Sequence, residues 1–318
     1  MASRSKTSAV TGRRASTAAR VALALHGGAG DGDPAAIDEA VEGARRLALA
    51  EVLARGRALL HRGVDAVSVV ETCVAALEDF EGFNAGRGSV LTTEGTVEMD
   101  AAIADGASLR VGAVAAVRTL RNPIRAARMV LDQSRHVLLV GEGAERFCRS
   151  AGAETAPPEY FLVARPARGS KSGNKARMKS AAGKMGTVGA VARDRSGHLA
   201  AATSTGGISR KLPGRVGDSP VPGAGVFADD ATCAVSATGD GEAILCAQVA
   251  HEIDAMLRLT DSSLPVACAA AMKRLVRAGG RGGVIAVDST GAVTCRYSAR
   301  FLYRAWFSGE GAMRVAVT

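Results

Sequence analysis

The order of apolar segments predicts an α+β protein in which mainly antiparallel sheets are covered by helices. Three observations carry this. A short apolar strand at 21–25 is followed by two long segments with helical spacing. Past residue 187, short strand-like runs come in pairs joined by turn residues. Two further helical segments then lead into three closing strands.

Val21-Ala22-Leu23-Ala24-Leu25 reads as a buried strand ending at His26-Gly27-Gly28-Ala29-Gly30. Residues 34–61 carry apolar positions at helical spacing, with Asp33 as cap and Pro34 in the first turn. A second helix is expected from Asp65 to Glu78, with Val67, Val70, Val74 and Leu77 on one face. Strands are expected at 88–93, 96–103 and 111–118, a helix from Asn122-Pro123 to Gln133, and a strand at 137–140. Residues 151–186 differ in kind: small, polar and basic residues dominate, and no hydrophobic period follows Tyr160-Phe161-Leu162-Val163. A structureless loop of 22 residues, 165–186, is unusual inside a compact domain, and a loop awaiting cleavage explains it. Strands at 188–193 and 198–204 flank the turn Asp194-Arg195-Ser196-Gly197, and 226–237 supplies two more around Asp229-Asp230. Helices at 241–258 and 264–277 and strands at 283–288, 291–297 and 303–308 complete the chain.

Composition excludes several function classes. The 318 residues are 47% hydrophobic, enough for a large core, and the net charge is +9. The charge is concentrated: residues 1–20 hold five Lys/Arg and residues 165–186 seven, with no acid in either stretch. The remainder is mildly acidic, with 28 basic residues against 31 acidic ones. Aromatic content of 3% leaves little for bases to stack on, so no nucleic-acid partner is expected. The first 20 residues lack the apolar stretch of a signal peptide, and no run of 18 apolar residues exists, so no membrane partner is expected. Six cysteines without a C-x-x-C pair fit reduced thiols, and a cytoplasmic location is expected.

The chemistry gathers in four motifs. Gly186-Thr187-Val188-Gly189 places a threonine between the basic stretch and an apolar strand. A threonine hydroxyl needs a base to become a nucleophile. If the chain is cut before Thr187, the freed α-amine, with a reference pKa of roughly 7.7–8, can serve. No histidine is then required, and the five histidines are scattered. Taken alone, the same residues suit an ordinary strand-start threonine. Thr203-Ser204-Thr205-Gly206-Gly207 brings a second hydroxyl onto the neighbouring strand, where threonine is common for packing reasons too. In Leu212-Pro213-Gly214-Arg215-Val216-Gly217-Asp218-Ser219-Pro220, Arg215 suits a carboxylate and Asp218 an ammonium; a surface ion pair is the alternative. Thr238-Gly239-Asp240-Gly241-Glu242 follows a strand and opens a helix, either as an oxyanion site or as a plain glycine turn with a helix cap. His26-Gly27-Gly28 is reminiscent of an α/β-hydrolase oxyanion loop, but no G-x-S-x-G elbow accompanies it, and it is taken as structural.

Together these motifs resemble the plant-type asparaginases, or isoaspartyl peptidases, of the N-terminal-nucleophile hydrolase superfamily. Phe83-Asn84-Ala85-Gly86-Arg87-Gly88-Ser89 and Val97-Glu98-Met99-Asp100-Ala101 match the family as well. The resemblance implies a four-layer αββα sandwich formed by one structural domain from two chains, 21–186 and 187–318, after self-cleavage between Gly186 and Thr187; 1–20 is expected to be a disordered tail and 164–186 a flexible linker. It implies that Thr187 is the nucleophile and Thr205 its contact, that Thr238 and Gly239 form the oxyanion hole, and that Asn84 lies beside it. Arg215, Asp218 and Gly241 would bind an asparagine or β-aspartyl dipeptide substrate. Backbone carbonyls of Leu77, Glu78, Phe80, Phe83, Ala85 and Arg87 would hold a structural sodium ion, with no cofactor for catalysis, and two processed molecules would associate as (αβ)₂. A threonine aspartase shares the nucleophile but would not need the Arg215/Asp218 clamp. A glycosylasparaginase would carry an Asp-Thr junction in place of Gly186-Thr187. An inactive basic scaffold would be expected to have lost Thr187 or Arg215.

Overall fold

The computed structural model describes residues 20–33, 35, 37–162 and 186–318. The basic tail lies outside the described residues apart from Arg20, as do Pro34 and the linker up to residue 185.

Strand β1 (Ala22–Gly30) is buried along its length and runs on through the His-Gly-Gly stretch where a strand end was expected. Gly28 adopts φ +103°, and the register to the neighbouring strand shifts between His26 and Ala29. That bulge lets the strand continue past the glycines. Helix α1 (Glu39–His61) begins five residues later than its periodicity suggested. The Asp38 carboxylate accepts from the Ala40 and Val41 N–H groups, whereas Asp33 closes a local turn onto Ala35. Asp38 is therefore the cap. Helix α2 (Ala66–Asp79) forms within a residue of its expected bounds, and the Asp65 side chain caps it by accepting from the Ser68 N–H.

The strand expected at 88–93 does not form. A 3-10 turn at Gly86–Gly88 and a tight loop replace it, with Thr92 Oγ1 accepting from the Glu94 and Thr96 N–H groups. Hydroxyl-to-backbone bonds here outcompete the ladder. Strands β2 (Met99–Asp105) and β3 (Arg110–Val117), helix α3 (Pro123–Gln133) and strand β4 (Leu138–Val140) follow the expected order. Helix α4 (Gly141–Ser150) was not anticipated, because two glycines and few apolar residues hide its short buried stripe of Ala144 and Cys148. The one-turn α5 (Pro158–Phe161) buries Phe161 just ahead of the stretch expected to be structureless.

Strands β5 (Val188–Arg193) and β6 (Leu199–Thr205) form the expected hairpin, and β7 (Val226–Ala228) and β8 (Cys233–Gly239) a second. The helix expected at 241–258 is two helices, α6 (Gly241–Ala247) and α7 (Val249–Leu259). They break at Gln248 (φ +50°, ψ +52°), which frees the first N–H groups of α7 to bond the Gly223 and Ala224 carbonyls. Helix α8 (Leu264–Arg277) matches its sequence bounds, and β9 (Gly282–Asp288), β10 (Val293–Tyr297), β11 (Phe301–Ser308) and a short β12 (Arg314–Ala316) close the chain.

The eight-stranded sheet has the order β12-β11-β1-β5-β6-β2-β3-β4, and the four-stranded sheet β10-β9-β8-β7. Every pairing is antiparallel except β3 with β4. Three cores separate four layers. Helices α1 to α4 pack Leu49, Leu53, Val70 and Val130 on one face of the large sheet. Helices α6 to α8 pack Ile244, Ile253, Leu264 and Leu275 on the outer face of the small sheet. Between the sheets lies a layer made mostly of alanine, with Ala22, Ala24, Ala102, Ala201 and Ala234 meeting Val191, Ile285 and Val287. This is the αββα sandwich. Among the described residues, no helix is long and apolar enough to cross a membrane.

The alanine layer leaves no space for larger side chains. Ala201→Leu should cost about 1–3 kcal/mol by overpacking. Leu47→Ser, at a position 59% exposed, should change stability by less than about 0.5 kcal/mol. Urea midpoints of the two variants check this, and equal midpoints would contradict the packing described.

Candidate active site

Strand alternation builds the site. In β5, Val188 and Ala190 belong to the helix-side core and Val191 to the inter-sheet layer, so Thr187 and Gly189 face the second sheet. The same count along β6 turns Thr203 and Thr205 inward, because Ala200 and Ala202 face the helices while Leu199 and Ala201 do not. In β8, Ala234 faces the large sheet and Val235 faces away, which turns Ser236 and Thr238 inward. Val188 pairs with Ser204, so one step further the register opposes Thr187 and Thr205. The three threonines singled out in the sequence thus share one interior, and all are buried.

The residue before Thr187 is tightly enclosed. A Cβ on Gly28 would stand 2.5 Å from the Gly186 nitrogen and 2.8 Å from its carbonyl oxygen. A side chain on Gly186 would meet Thr238 Oγ1 at 2.7 Å, and that oxygen also accepts from the Ala29 N–H at 3.3 Å. The Gly186–Thr187 junction therefore lies between the bulge of β1 and the end of β8. Gly239, at φ +143°, packs against the Arg281 carbonyl, where a Cβ would come within 2.4 Å. Thr205 Oγ1 accepts from the Gly207 N–H at 2.9 Å.

Arg215, Asp218 and Gly241 converge on a second spot. A Cβ on Gly241 would lie 2.7 Å from Arg215 Nη2 and 2.8 Å from Asp218 Oδ1. Arg215 donates to both carboxylate oxygens of Glu242, from Nε at 2.8 Å and Nη2 at 2.9 Å, leaving Nη1 outside that pair. Asp218 is buried and its Oδ2 has no hydrogen-bond partner. Burial raises its pKa to about 7, with Arg215 pulling the other way. The loop carrying this pair is anchored from below. Lys211 Nζ donates to the Glu98 carbonyl at 2.7 Å, and Glu98 Oε2 accepts from the Gly214 N–H at 2.8 Å. Burial pulls the Lys211 ammonium below its ordinary range, opposed by Asp100 and Glu98.

Asn84 ties its own loop to the residues after Thr205. Its Nδ2 donates to the Gly207 carbonyl at 2.6 Å, and its Oδ1 accepts from the Val90 N–H at 3.0 Å. Leu77 and Glu78 lie in the last turn of α2, among the carbonyls that have no intrahelical partner. Phe80, Phe83, Ala85 and Arg87 follow in the loop, where the Glu78 carbonyl lies against Gly86 and the Glu81 and Phe83 carbonyls against Gly88. Among the described residues, no group of three or more His, Cys, Asp or Glu is placed to hold a metal ion. A cleft near the other end of the β5–β6 hairpin is lined by residues including Asp105, Arg128, Asp194 and His198, and no serine, threonine or cysteine lines it.

Two partners were missed in the sequence. Glu242, in the first turn of α6, carries no assigned role in the sequence, yet it holds Arg215. His26, taken as structural, lies 2.9 Å through Nδ1 from the Thr187 carbonyl. Burial lowers its pKa to about 3, so the ring is neutral near pH 7, and Nδ1 must carry the proton because a carbonyl only accepts. A lone histidine before paired glycines at a strand end was the available signal.

Comparison with known proteins gives the family. The asparaginase family model matches residues 19–317. An isoaspartyl peptidase of Salmonella typhimurium is 44% identical over 302 residues, covering 92% of this chain and 96% of that protein. One from Escherichia coli is 43% identical over 302 residues, with 92% and 94% covered. An isoaspartyl peptidase/L-asparaginase of Danio rerio is 39% identical over 295 residues, with 91% and 92% covered.

Proposed function

The chain belongs to the asparaginase family, and on that premise we propose that it is a self-cleaving threonine amidohydrolase acting on L-asparagine and β-aspartyl dipeptides. The observation that carries the reading is the enclosed Gly186–Thr187 junction at the head of a central strand, beside Thr238 and opposite Thr205.

In the precursor, the Thr187 hydroxyl adds to the Gly186 carbonyl and the acyl group moves from nitrogen to oxygen. Water opens the resulting ester, releasing Thr187 with a free α-amine. That amine takes the hydroxyl proton in turnover, at a pKa matched to neutral pH. Thr187 Oγ1 then attacks the side-chain carbonyl of asparagine, or the β-aspartyl carbonyl of a dipeptide. Thr238 and Gly239 stabilise the oxyanion and Thr205 contacts the nucleophile. Ammonia or an amino acid leaves, and water hydrolyses the aspartyl ester. Arg215 binds the α-carboxylate and Asp218 the α-ammonium, with Gly241 leaving room between them; Asn84 borders the reacting carbonyl.

The neutral carbonyl oxygens of Leu77, Glu78, Phe80, Phe83, Ala85 and Arg87 suit a hard monovalent cation, and a sodium ion there would fix the loop that carries Asn84. Two processed molecules pair as (αβ)₂. The six cysteines, all free, fit a cytoplasmic location.

Intact mass spectrometry after incubation at neutral pH tests the reading. The wild type should give two chains, the second starting at Thr187. Thr187→Ala should stay a single chain and lose about 10⁴-fold or more in kcat; normal turnover by that variant would overturn the mechanism. Binding of aspartate should weaken about tenfold per pH unit below 7, because the ammonium must then displace a proton from Asp218. Titration calorimetry across pH 5–8 reads this, and a flat profile would remove Asp218 from the site. The melting midpoint should rise with sodium chloride but not with tetramethylammonium chloride at equal ionic strength; equal midpoints would exclude the cation.

A further inference from the structure

Gly189 is the residue of β5 that faces the second sheet between Thr187 and Val191. Across the ladder it pairs with His26 of β1 on one side and Thr203 of β6 on the other. Directly over it stands Ser236 of β8, whose Oγ lies 2.9 Å from His26 Nε2 and 2.7 Å from Thr203 Oγ1. A Cβ on Gly189 would fall 2.1 Å from Ser236 Oγ and 2.4 Å from His26 Nε2. The space of the missing side chain is therefore filled by a hydrogen-bonded chain from the other sheet. His26, Thr203 and Ser236 are all fully buried.

The protons order themselves. His26 Nδ1–H donates to the Thr187 carbonyl, so Nε2 must accept, and the Ser236 hydroxyl donates to it. The Thr203 hydroxyl is left to donate to Ser236 Oγ or to the Gly225 carbonyl at 3.1 Å. The β1–β5 ladder stops at the pair His26 and Gly189, where β1 bulges. Two residues before Gly189, just ahead of β5, the His26 ring supplies a bond to the Thr187 carbonyl beyond the end of that ladder.

We propose that His26, Ser236 and Thr203 are positioning residues which hold the carbonyl of Thr187, and with it the direction of its nitrogen and hydroxyl, and that Gly189 is required because this relay occupies its side-chain space. The inference rests on Thr187 being the nucleophile. The contact is on the C-terminal side of the Gly186–Thr187 bond, so it survives cleavage and serves both self-processing and turnover. Gly189, His26 and Ser236 have no bond to Arg215 or Asp218, and Thr203 reaches Asp218 only through Gly225, so changes at the first three act on kcat and not on KM.

The test uses the full chain, with cleavage followed by intact mass and turnover by ammonia release from asparagine. Gly189→Ala should slow both cleavage and kcat about 100-fold, the scale of a small misplacement of reacting groups, while KM stays within about threefold. His26→Ala should behave alike. His26→Asn, whose amide can stand where Nδ1–H stands, should recover at least about tenfold of that loss. If Gly189→Ala does not fold, Ser236→Ala, which removes one oxygen, carries the test with a kcat loss of about 3- to 10-fold at unchanged KM. Wild-type kcat and cleavage in these variants would overturn the relay, as would equal losses in His26→Ala and His26→Asn, or a loss confined to KM or melting temperature. Thr187→Ala is run beside them: an inactive Thr187→Ala with an unaffected Gly189→Ala sinks the relay alone, whereas an active Thr187→Ala sinks the nucleophile on which it rests.

Discussion

The register of β5 between β1 and β6 governs the site, because a strand's period of two leaves no choice of face once one pairing is set. Val188 opposite Ser204 sends Thr187, Gly189 and Val191 toward the second sheet, and the same register sends Thr203 and Thr205 there. A slip of β5 by one residue would turn Thr187, Gly189 and Val191 into the helix-side core. The alanines between the sheets serve the same geometry. Small side chains from both sheets let Thr238 and Ser236 of β8 reach groups on β1, β5 and β6 without intervening bulk. Glycines 28, 186 and 189 lie where backbone or hydroxyl groups take the place of a side chain.

The substrate side of the site is an electrostatic construction. Asp218 is buried with one oxygen unpartnered, a costly arrangement unless something charged completes it. Lys211 and Glu98 lie below, and they hold the Gly/Pro loop through backbone contacts as much as through charge. Glu242 keeps the Arg215 guanidinium oriented while leaving Nη1 outside the pair. A loop rich in glycine and proline thus presents two opposite charges at a defined separation, because its far side is bonded to β2 and the segment before it. The buried carboxyl of Glu78 plays a comparable part elsewhere, accepting from Ser204 Oγ and the Ile124 N–H at the start of α3, with burial raising its pKa to about 8.

Much of the fold was legible because local signals agreed with tertiary packing. The bounds of α8 and the hairpin of β5 and β6 followed from hydrophobic period and turn residues alone. Disagreements arose where a polar contact, local or distant, overrode the hydrophobic period. Asp38 rather than Asp33 caps α1, Thr92 closes a loop in place of a strand, and the Gly223 and Ala224 carbonyls break one long helix into α6 and α7. Helix α4 was missed for want of an apolar stripe long enough to show a period.

The sequence by itself determined the chemical inventory: a threonine after a glycine at a strand start, an Arg/Asp pair in a Gly/Pro loop, and a Thr-Gly pair ahead of a helix. Each is a local arrangement a few residues long, so local reading finds it. Only the tertiary structure decided the partners. His26 meets the Thr187 carbonyl across 161 residues of chain and Ser236 across 210. Glu242 meets Arg215 from another motif, and Lys211 meets Glu98 across 113 residues. No hydrophobic period or turn signal encodes such pairs, because they arise from sheet register and from the packing of one sheet on the other.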